Sequence, residues 1–417
     1  MSQKLEEKEE ESLSDSSLEE SDSDNEETDS DNEETDSDNE ETDSDNEETD
    51  SEEKDSNNNK YKVLSLFTGI GGMDLGFGEN VIVHKKSISK KFKKIKSYLP
   101  DGFVLLKPTN FNIIFQNDIL EGAKEIYLNN FKNTNYIVKS IVTLIEEKYI
   151  FPSTDVVIGG FPCNDFSNCG KRLGFQSNKS HDLKQQDEKN NRGTLYKSFV
   201  EVVKQTNPKI FIAENVSGLL TMKDNPIKII VNDFSELGYD VNYSLVKSEE
   251  HGIPQKRWRV IIFGIRKLRK KQKLDKDWYK ITDNKINCKL KYYLKHLKEP
   301  SESNDISQTL YSKAKKLLKG QGQVEINMES FSPTIRAEHH GNIEFRRHEN
   351  GINCKEKYLQ ERRLTIRECS MIQTFPPNYV MTIKKNMKSY KYIGNAVPPL
   401  LSYLISQKVE FLLSKHF

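Results

Sequence analysis

A thiol placed where an apolar strand gives way to a turn is a candidate nucleophile, and Cys163 in Gly159-Gly160-Phe161-Pro162-Cys163 stands in that place. A lone cysteine is more often an inert small hydrophobe. In α/β folds, however, the turns at strand C-termini carry the reactive groups, and positive surroundings or a helix N-terminus convert a thiol there into a useful thiolate. Glu214, in Glu214-Asn215-Val216, ends another apolar run, where a carboxylate beside a nucleophile can hand a proton to a ring nitrogen. Gln255-Lys256-Arg257-Trp258-Arg259 sets two arginines two residues apart, on one face of a strand, with Trp258 on an opposite face expected to be packed. Leu66-Phe67-Thr68-Gly69-Ile70-Gly71-Gly72 lets the backbone approach a ligand closely, and Asp118 ends a second run, where nucleotide-binding folds place an acid for ribose hydroxyls. Turn and acid together point to a nucleoside-bearing cofactor. The glycines alone would also suit a nicotinamide-dependent dehydrogenase, but that leaves the thiol, the glutamate and the arginines unexplained.

These residues need a scaffold that gathers strand ends. Apolar runs at 62–67, 112–116, 155–158, 209–213, 241–246 and 258–264 alternate with helical spacing at 120–131, 194–204 and 227–237. That alternation predicts an α/β fold, a doubly wound, mostly parallel sheet with its sites along one edge. Residues 398–413 are apolar at helical spacing and open on Pro-Pro, as a final helix would. From 266 to 361 the pattern degrades into Lys-rich sequence with scattered aromatics, which predicts a separate, smaller domain.

Charge is divided along the chain. Residues 1–59 hold 28 acidic and 3 basic side chains, net −25, while the other 358 residues hold 36 acidic and 60 basic, net +24. The heptad Ser-Asp-Asn-Glu-Glu-Thr-Asp repeats four times from Ser23 to Asp50 without an apolar residue, so it forms neither core nor coiled coil and reads as a disordered tail. The basic remainder calls for a polyanionic partner. No apolar run approaches the roughly 20 residues that span a bilayer, and five sparse cysteines without a C-x-x-C pair argue against a disulfide framework, a structural zinc and secretion.

Taken in order, the motifs resemble the DNA cytosine-5 methyltransferase family from about Lys62 to the C-terminus. They are Phe67-x-Gly69-x-Gly71-Gly72, Asn117-Asp118, Gly160-Phe-Pro-Cys163, Glu214-Asn-Val216, Gln255-x-Arg257-x-Arg259 and Gly394-Asn395-Ala-Val397. Arg192-Gly-Thr-Leu-Tyr196, Ser332-Pro-Thr-Ile-Arg336 and 364–370 also look like family segments. The resemblance implies an S-adenosylmethionine-dependent enzyme of bacterial type acting on double-stranded DNA, as a monomer, inside a cell, with neither membrane nor metal. It implies that Cys163 attacks C6 of a cytosine flipped out of the helix, that Glu214 holds the amino group and protonates N3, and that Arg259 contacts O2 with Arg257 as an anchoring charge. It places Phe67, Gly69, Ile70, Gly71, Gly72, Asp118, Pro162 and Asn395 around the cofactor, and implies a catalytic domain at 60–265, a target-recognition domain at 266–361 and a C-terminal segment, 362–417, that returns to the catalytic domain.

Departures from the family pattern are Asn164 where glutamine is usual, no acid in 138–141 for the adenine amino group, and insertions at 84–107 and 177–191. A tRNA-modifying branch of the family, or a catalytically silent DNA-binding module, are the rival readings. One expectation concerns the tail. Deleting residues 1–59 should tighten non-specific duplex binding at low salt, because the −25 charge no longer competes with DNA for the basic remainder. Fluorescence anisotropy on full-length and truncated chains checks this, and equal affinities contradict it.

Overall fold

The computed structural model describes residues 60–132, 134–162, 195–222, 225–268, 273–281, 285–311, 324–337, 345–347, 362–382 and 388–417. The acidic repeat, Cys163, Asn164 and the insertion at 177–191 lie outside the described residues. All described residues fall in one compact unit, Ser56–Phe417.

The strands are β1 (Tyr61–Leu66), β2 (Ile82–His84), β3 (Ile95–Tyr98), β4 (Phe103–Leu106), β5 (Phe111–Asp118), β6 (Tyr136–Val138), β7 (Val156–Gly159), β8 (Ile210–Val216), β9 (Tyr239–Lys247) and β10 (Trp258–Arg266). Seven of them form one sheet in the order β6-β5-β1-β7-β8-β10-β9. The first five are parallel neighbours, and β10 runs antiparallel to both β8 and β9. The fold is therefore the doubly wound α/β sheet expected from the sequence. Strand order reverses between β1 and β7, and that switch point is where such sheets open a crevice for ligands.

Residue type explains the layering. Along the central strands, successive side chains enter opposite cores: Val63, Ile158, Ile212 and Ile261 on one face, Leu64, Val157, Phe211 and Ile262 on the other. Both faces are covered, so these strands are continuously apolar rather than alternating with polar residues. Helices α1 (Gly72–Gly76) and α2 (Glu121–Asn130) line the first core; α3 (Ile141–Glu146), α4 (Leu195–Thr206) and α5 (Pro226–Glu236) line the second.

The remaining helices are α6 (Lys291–Leu294), α7 (Ile306–Thr309), α8 (Ile366–Ile372), α9 (Ser389–Asn395) and α10 (Pro399–His416). α10 returns to the start of the chain: a Cβ on Gly76 would lie 2.4 Å from that of Ser402, whose hydroxyl donates to the Met73 carbonyl at 2.5 Å. Short strands β11 (Val324–Glu325), β12 (Phe345–Arg347) and β13 (Arg362–Arg363) form a second small sheet. α8, which begins within the segment 364–370, starts with a capping box in which Thr365 and Glu368 satisfy each other's backbone N–H groups.

Two features depart from the sequence-based reading. Residues 82–106 fold into an antiparallel sheet, β2-β4-β3, where the sequence suggested only a Lys-rich insertion. Trp258 is 45% exposed, so the face expected to be packed is open; its ring NH donates to Glu249 at 2.8 Å and Lys247 lies over it. As the first residue of β10, it stands at the rim, beyond the layers that cover the sheet's centre.

Candidate active site

The turn after β1 forms one wall. Its backbone enters the left-handed region at Phe67 (φ 52°), Gly69 (φ 56°) and Gly71 (φ 80°), a conformation that costs a non-glycine residue about 1 kcal/mol or more. Neighbouring strands hold it there. Thr68 N–H donates to the Asn117 carbonyl at 3.0 Å, and Gly69 N–H to Asp118 Oδ2 at 2.8 Å. The Tyr136 hydroxyl donates to the Gly69 carbonyl at 2.9 Å, and that of Tyr379 to the Ile70 carbonyl.

The glycines differ in what surrounds them. A Cβ on Gly71 would come within 2.6 Å of the Phe131 ring, and one on Gly72 within 2.3 Å of the Val397 carbonyl oxygen. At Gly69 nothing lies within 4 Å. Gly71 and Gly72 thus pack the turn against α2 and the residues after Asn395, Ile70 is buried in the core, and Gly69 faces open space. Asn395 itself is exposed.

Asp118 closes the same crevice. Besides Gly69, its carboxylate accepts from Ile119 N–H at 2.7 Å and Leu120 N–H at 3.0 Å. Burial pushes its pKa up, and these N–H groups together with Lys391 oppose that rise. An acid so held presents its remaining lone pairs to a hydroxyl-bearing ligand at the open side of Gly69.

Beneath the turn is a polar network that motif spacing did not reveal. Asp74 is fully buried; it accepts from Ser65 Oγ at 2.6 Å and from the Tyr127 hydroxyl at 3.0 Å, and Thr68 Oγ1 donates to Ser65 Oγ at 3.0 Å. Burial raises Asp74 from 3.8 to about 6, against the two hydroxyl donors. Between about pH 4 and 6 the folded chain keeps this proton and the unfolded chain releases it, so stability falls as pH rises, and above 6 the full cost of the buried charge is present. An Asp74→Asn chain lacks that cost. Its stability relative to wild type is expected to grow by about 3 kcal/mol between pH 4 and 7. Denaturant melts of both chains across that range check the value, and a difference independent of pH contradicts it.

The second wall is built by β7, β8 and β10. Val157 pairs with Phe211 and Gly159 with Ala213, so Gly160-Phe161-Pro162 and Glu214 leave the sheet side by side. A Cβ on Gly160 would sit 3.1 Å from Glu214 Oε2, a tight contact that would press on the carboxylate. Asn215 Nδ2 donates to the Phe161 carbonyl at 3.4 Å. On β10, Ile261 pairs with Glu214 and Arg259 with Val216, which puts Arg259 one diagonal step from the carboxylate on the same face. Arg259 Nε lies 2.8 Å from Glu214 Oε1, with side chains only 13% and 10% exposed. The N–H is not aligned for a hydrogen bond, so among the described residues Glu214 Oε1 has this charge partner but no hydrogen-bond donor. Such an atom is costly unless something else binds it.

Arg257 is placed differently from Arg259. It is 1% exposed, and its guanidinium donates to the carbonyls of Ile335 at 3.2 Å, Gly394 at 3.0 Å and Ala396 at 3.0 Å. Gln255 accepts from Ile335 N–H at 3.0 Å and donates to Gln373 at 2.8 Å, while Gln373 donates to the Ile393 carbonyl at 2.8 Å. Three distant motifs, 255–257, 332–336 and 394–397, are thus tied into one buried knot. The two arginines do not share a face: Arg259 enters the crevice, and Arg257 clamps the segment that backs the Gly72 turn.

The structure therefore gathers Gly69, Asp118, Pro162, Glu214 and Arg259 along one sheet edge; Cys163, which follows Pro162 in sequence, lies outside the described residues. Tyr136, Tyr379, Asp74, Tyr127 and Gln373 support the site but went unnoticed in the sequence, because isolated tyrosines and acids at varied separations carry no pattern. Among the described residues no group of acids, histidines and cysteines could hold a metal ion, and no helix is long and apolar enough to cross a membrane.

Comparison with known proteins gives a consistent picture. The family model for C-5 cytosine-specific DNA methylase matches residues 61–410. A Type II methyltransferase of Lactococcus lactis subsp. cremoris, M1.ScrFI, is 28% identical over 372 residues, 85% of this chain and 79% of its own length. M.BspRI of Lysinibacillus sphaericus, also a Type II methyltransferase, is 30% identical over 379 residues, 84% of this chain and 82% of its own. In fold, the chain is similar to the Entamoeba histolytica methyltransferase EhMeth, with a TM-score of 0.56 at 17% identity, covering 85% of this chain and 99% of that one.

Proposed function

The chain belongs to the C-5 cytosine-specific DNA methylase family, and on that premise we propose that it methylates a cytosine turned out of duplex DNA through a transient bond to Cys163. It is a DNA cytosine-5 methyltransferase. The observation that carries it is the Glu214–Arg259 pair, a nearly buried carboxylate and cation on β8 and β10 that lie beside Gly160, three residues before Cys163 in sequence.

A stacked cytosine is out of reach, so the base enters the crevice extrahelically. Glu214, having taken up a proton from solvent, gives it to N3 and accepts from the exocyclic amino group, while Arg259 donates to O2. Both withdraw electrons from the ring, and the Cys163 thiolate adds to C6, forming an S–C6 bond and making C5 nucleophilic. C5 would then accept the methyl carbon from a bound donor as its methyl–sulfur bond breaks and a neutral thioether is released; water removes the C5 proton, and the electron pair released expels the thiolate and restores the aromatic ring. The proton on N3 returns to Glu214.

S-adenosylmethionine, when bound, supplies an electrophilic methyl sulfonium. The crevice fits it: Gly69 leaves room for a backbone-hugging ligand, Asp118 offers acceptors for ribose hydroxyls, and Phe67, Ile70, Gly71, Gly72, Pro162 and Asn395 belong to the surrounding turns and helix ends. Arg257 acts by position, holding the Asn395 segment against Gly72. We take residues 266–361 as the target-recognition region and a single copy of the chain, inside a cell, as the working enzyme. Bisulfite sequencing of a plasmid co-expressed with the chain tests the reading: protected cytosines in one sequence context support it, and uniform conversion with soluble, folded protein overturns it.

A further inference from the structure

Residues 82–107 take no part in that chemistry, yet they form a firmly anchored sheet. Val83, Phe103, Val104 and Leu106 are buried. The ring of His84 stacks on Tyr292 at 4.9 Å, Ser87 Oγ and the Tyr293 hydroxyl are 2.7 Å apart, and the Tyr403 hydroxyl on α10 donates to the Lys107 carbonyl at 3.0 Å. What this rigid base presents outward is almost all of one sign. The segment holds eight lysines and a single acid, Asp101.

Lys94 pairs with Glu410; the other seven lysines are exposed and make no ion pair among the described residues. On β3, Lys96 and Tyr98 share the solvent face, with Tyr98 76% exposed. Lys93, Lys94 and Lys107 line a cleft of about 370 Å³ with Pro108, Thr109, Asn110 and one acid, Glu410, the partner of Lys94. The charge is felt inside the fold as well: burial first, then Lys85, His296, Lys295 and Lys86, hold His84 down to about 4. Like charges on a fixed frame repel one another and lower stability unless a counter-charge comes from outside. A rigid row of ammonium groups around an open cleft matches a partner whose charges repeat along a line, and a lone exposed tyrosine is too little apolar surface for a lipid bilayer.

We propose that the β2-β4-β3 sheet is an auxiliary docking surface for the sugar–phosphate backbone of duplex DNA, separate from the crevice that takes the target base. The choice of DNA as the polyanion rests on the function proposed above; the docking itself does not depend on catalysis. The test is a full-length chain with Lys85, Lys86, Lys90, Lys91, Lys93 and Lys96 all changed to Gln. Each lost phosphate contact removes about 0.9 from the slope of log Kd against log salt, so the slope for a long non-specific duplex is expected to fall by about 3 or more. Turnover on a 12-base-pair duplex is expected to stay within about twofold, since no reacting group is changed. An unchanged slope overturns the proposal, as does a variant that loses binding to phosphatidylserine vesicles but keeps the wild-type slope on DNA. A wild-type chain that methylates nothing but shows the slope difference defeats the functional reading and leaves this surface standing.

Discussion

Replacing Cys163 with serine is expected to lower turnover at least about 10⁴-fold while the Kd for duplex DNA changes by less than about threefold. Serine keeps the size and the hydrogen-bonding capacity of the side chain but has no accessible anion at neutral pH, so the addition to C6 stops. Binding survives because phosphate contacts, which dominate affinity, lie elsewhere. Equal loss of binding and turnover would assign Cys163 a structural part. The two cysteines among the described residues cannot substitute. Burial pushes the Cys288 thiol up to about 12 and raises Cys369 well above its ordinary value, and both are fully buried.

Glu214→Gln is the second large effect. Glutamine fills the same space and still accepts from the cytosine amino group, but it has no proton to deliver to N3. General acid catalysis is worth about 10²- to 10⁴-fold, and kcat is expected to fall within that range. Arg259, 13% exposed on its side chain, also loses the carboxylate 2.8 Å away. Its charge is then free to hold the base, so KM for DNA is expected to change much less than kcat. Steady-state kinetics on one duplex separate the two: a rise in KM at constant kcat would show that Glu214 only binds, and unaltered kinetics would remove it from the mechanism.

The fold could be read from the sequence because both faces of the central strands are covered. Runs such as Val156–Gly159 and Ile210–Ala213 are apolar without interruption, and polar or glycine-rich residues follow them directly at the edge where ligands bind. Gly69, Asp118, Glu214 and Arg259 were legible for that reason: each lies at or close to the end of a strand.

The different fates of Arg257 and Arg259 were not legible. Spacing of two places them on one face of a strand, but β10 begins at Trp258, and Arg257 lies just before it, where the backbone is tied to Ser332 and Ile335. Contacts across 78 and 137 residues of chain decide its orientation, and no local pattern encodes them. Trp258 is exposed for a related cause, since alternation predicts which face a residue takes but not whether another layer covers it. The β2-β4-β3 sheet was hidden by composition: Lys-rich strands whose outer face is solvated lack the apolar weight that marks a strand.

The most direct test of the account is to incubate the full-length chain with a duplex carrying 5-fluorocytosine at the protected position, with and without S-adenosylmethionine. Fluorine at C5 cannot leave as a proton does, so the account predicts a denaturation-resistant protein–DNA adduct that needs the methyl donor and maps by peptide mass to Cys163. Methylation of the ordinary duplex with no adduct on the fluorinated one, or an adduct mapped to another cysteine, would contradict it.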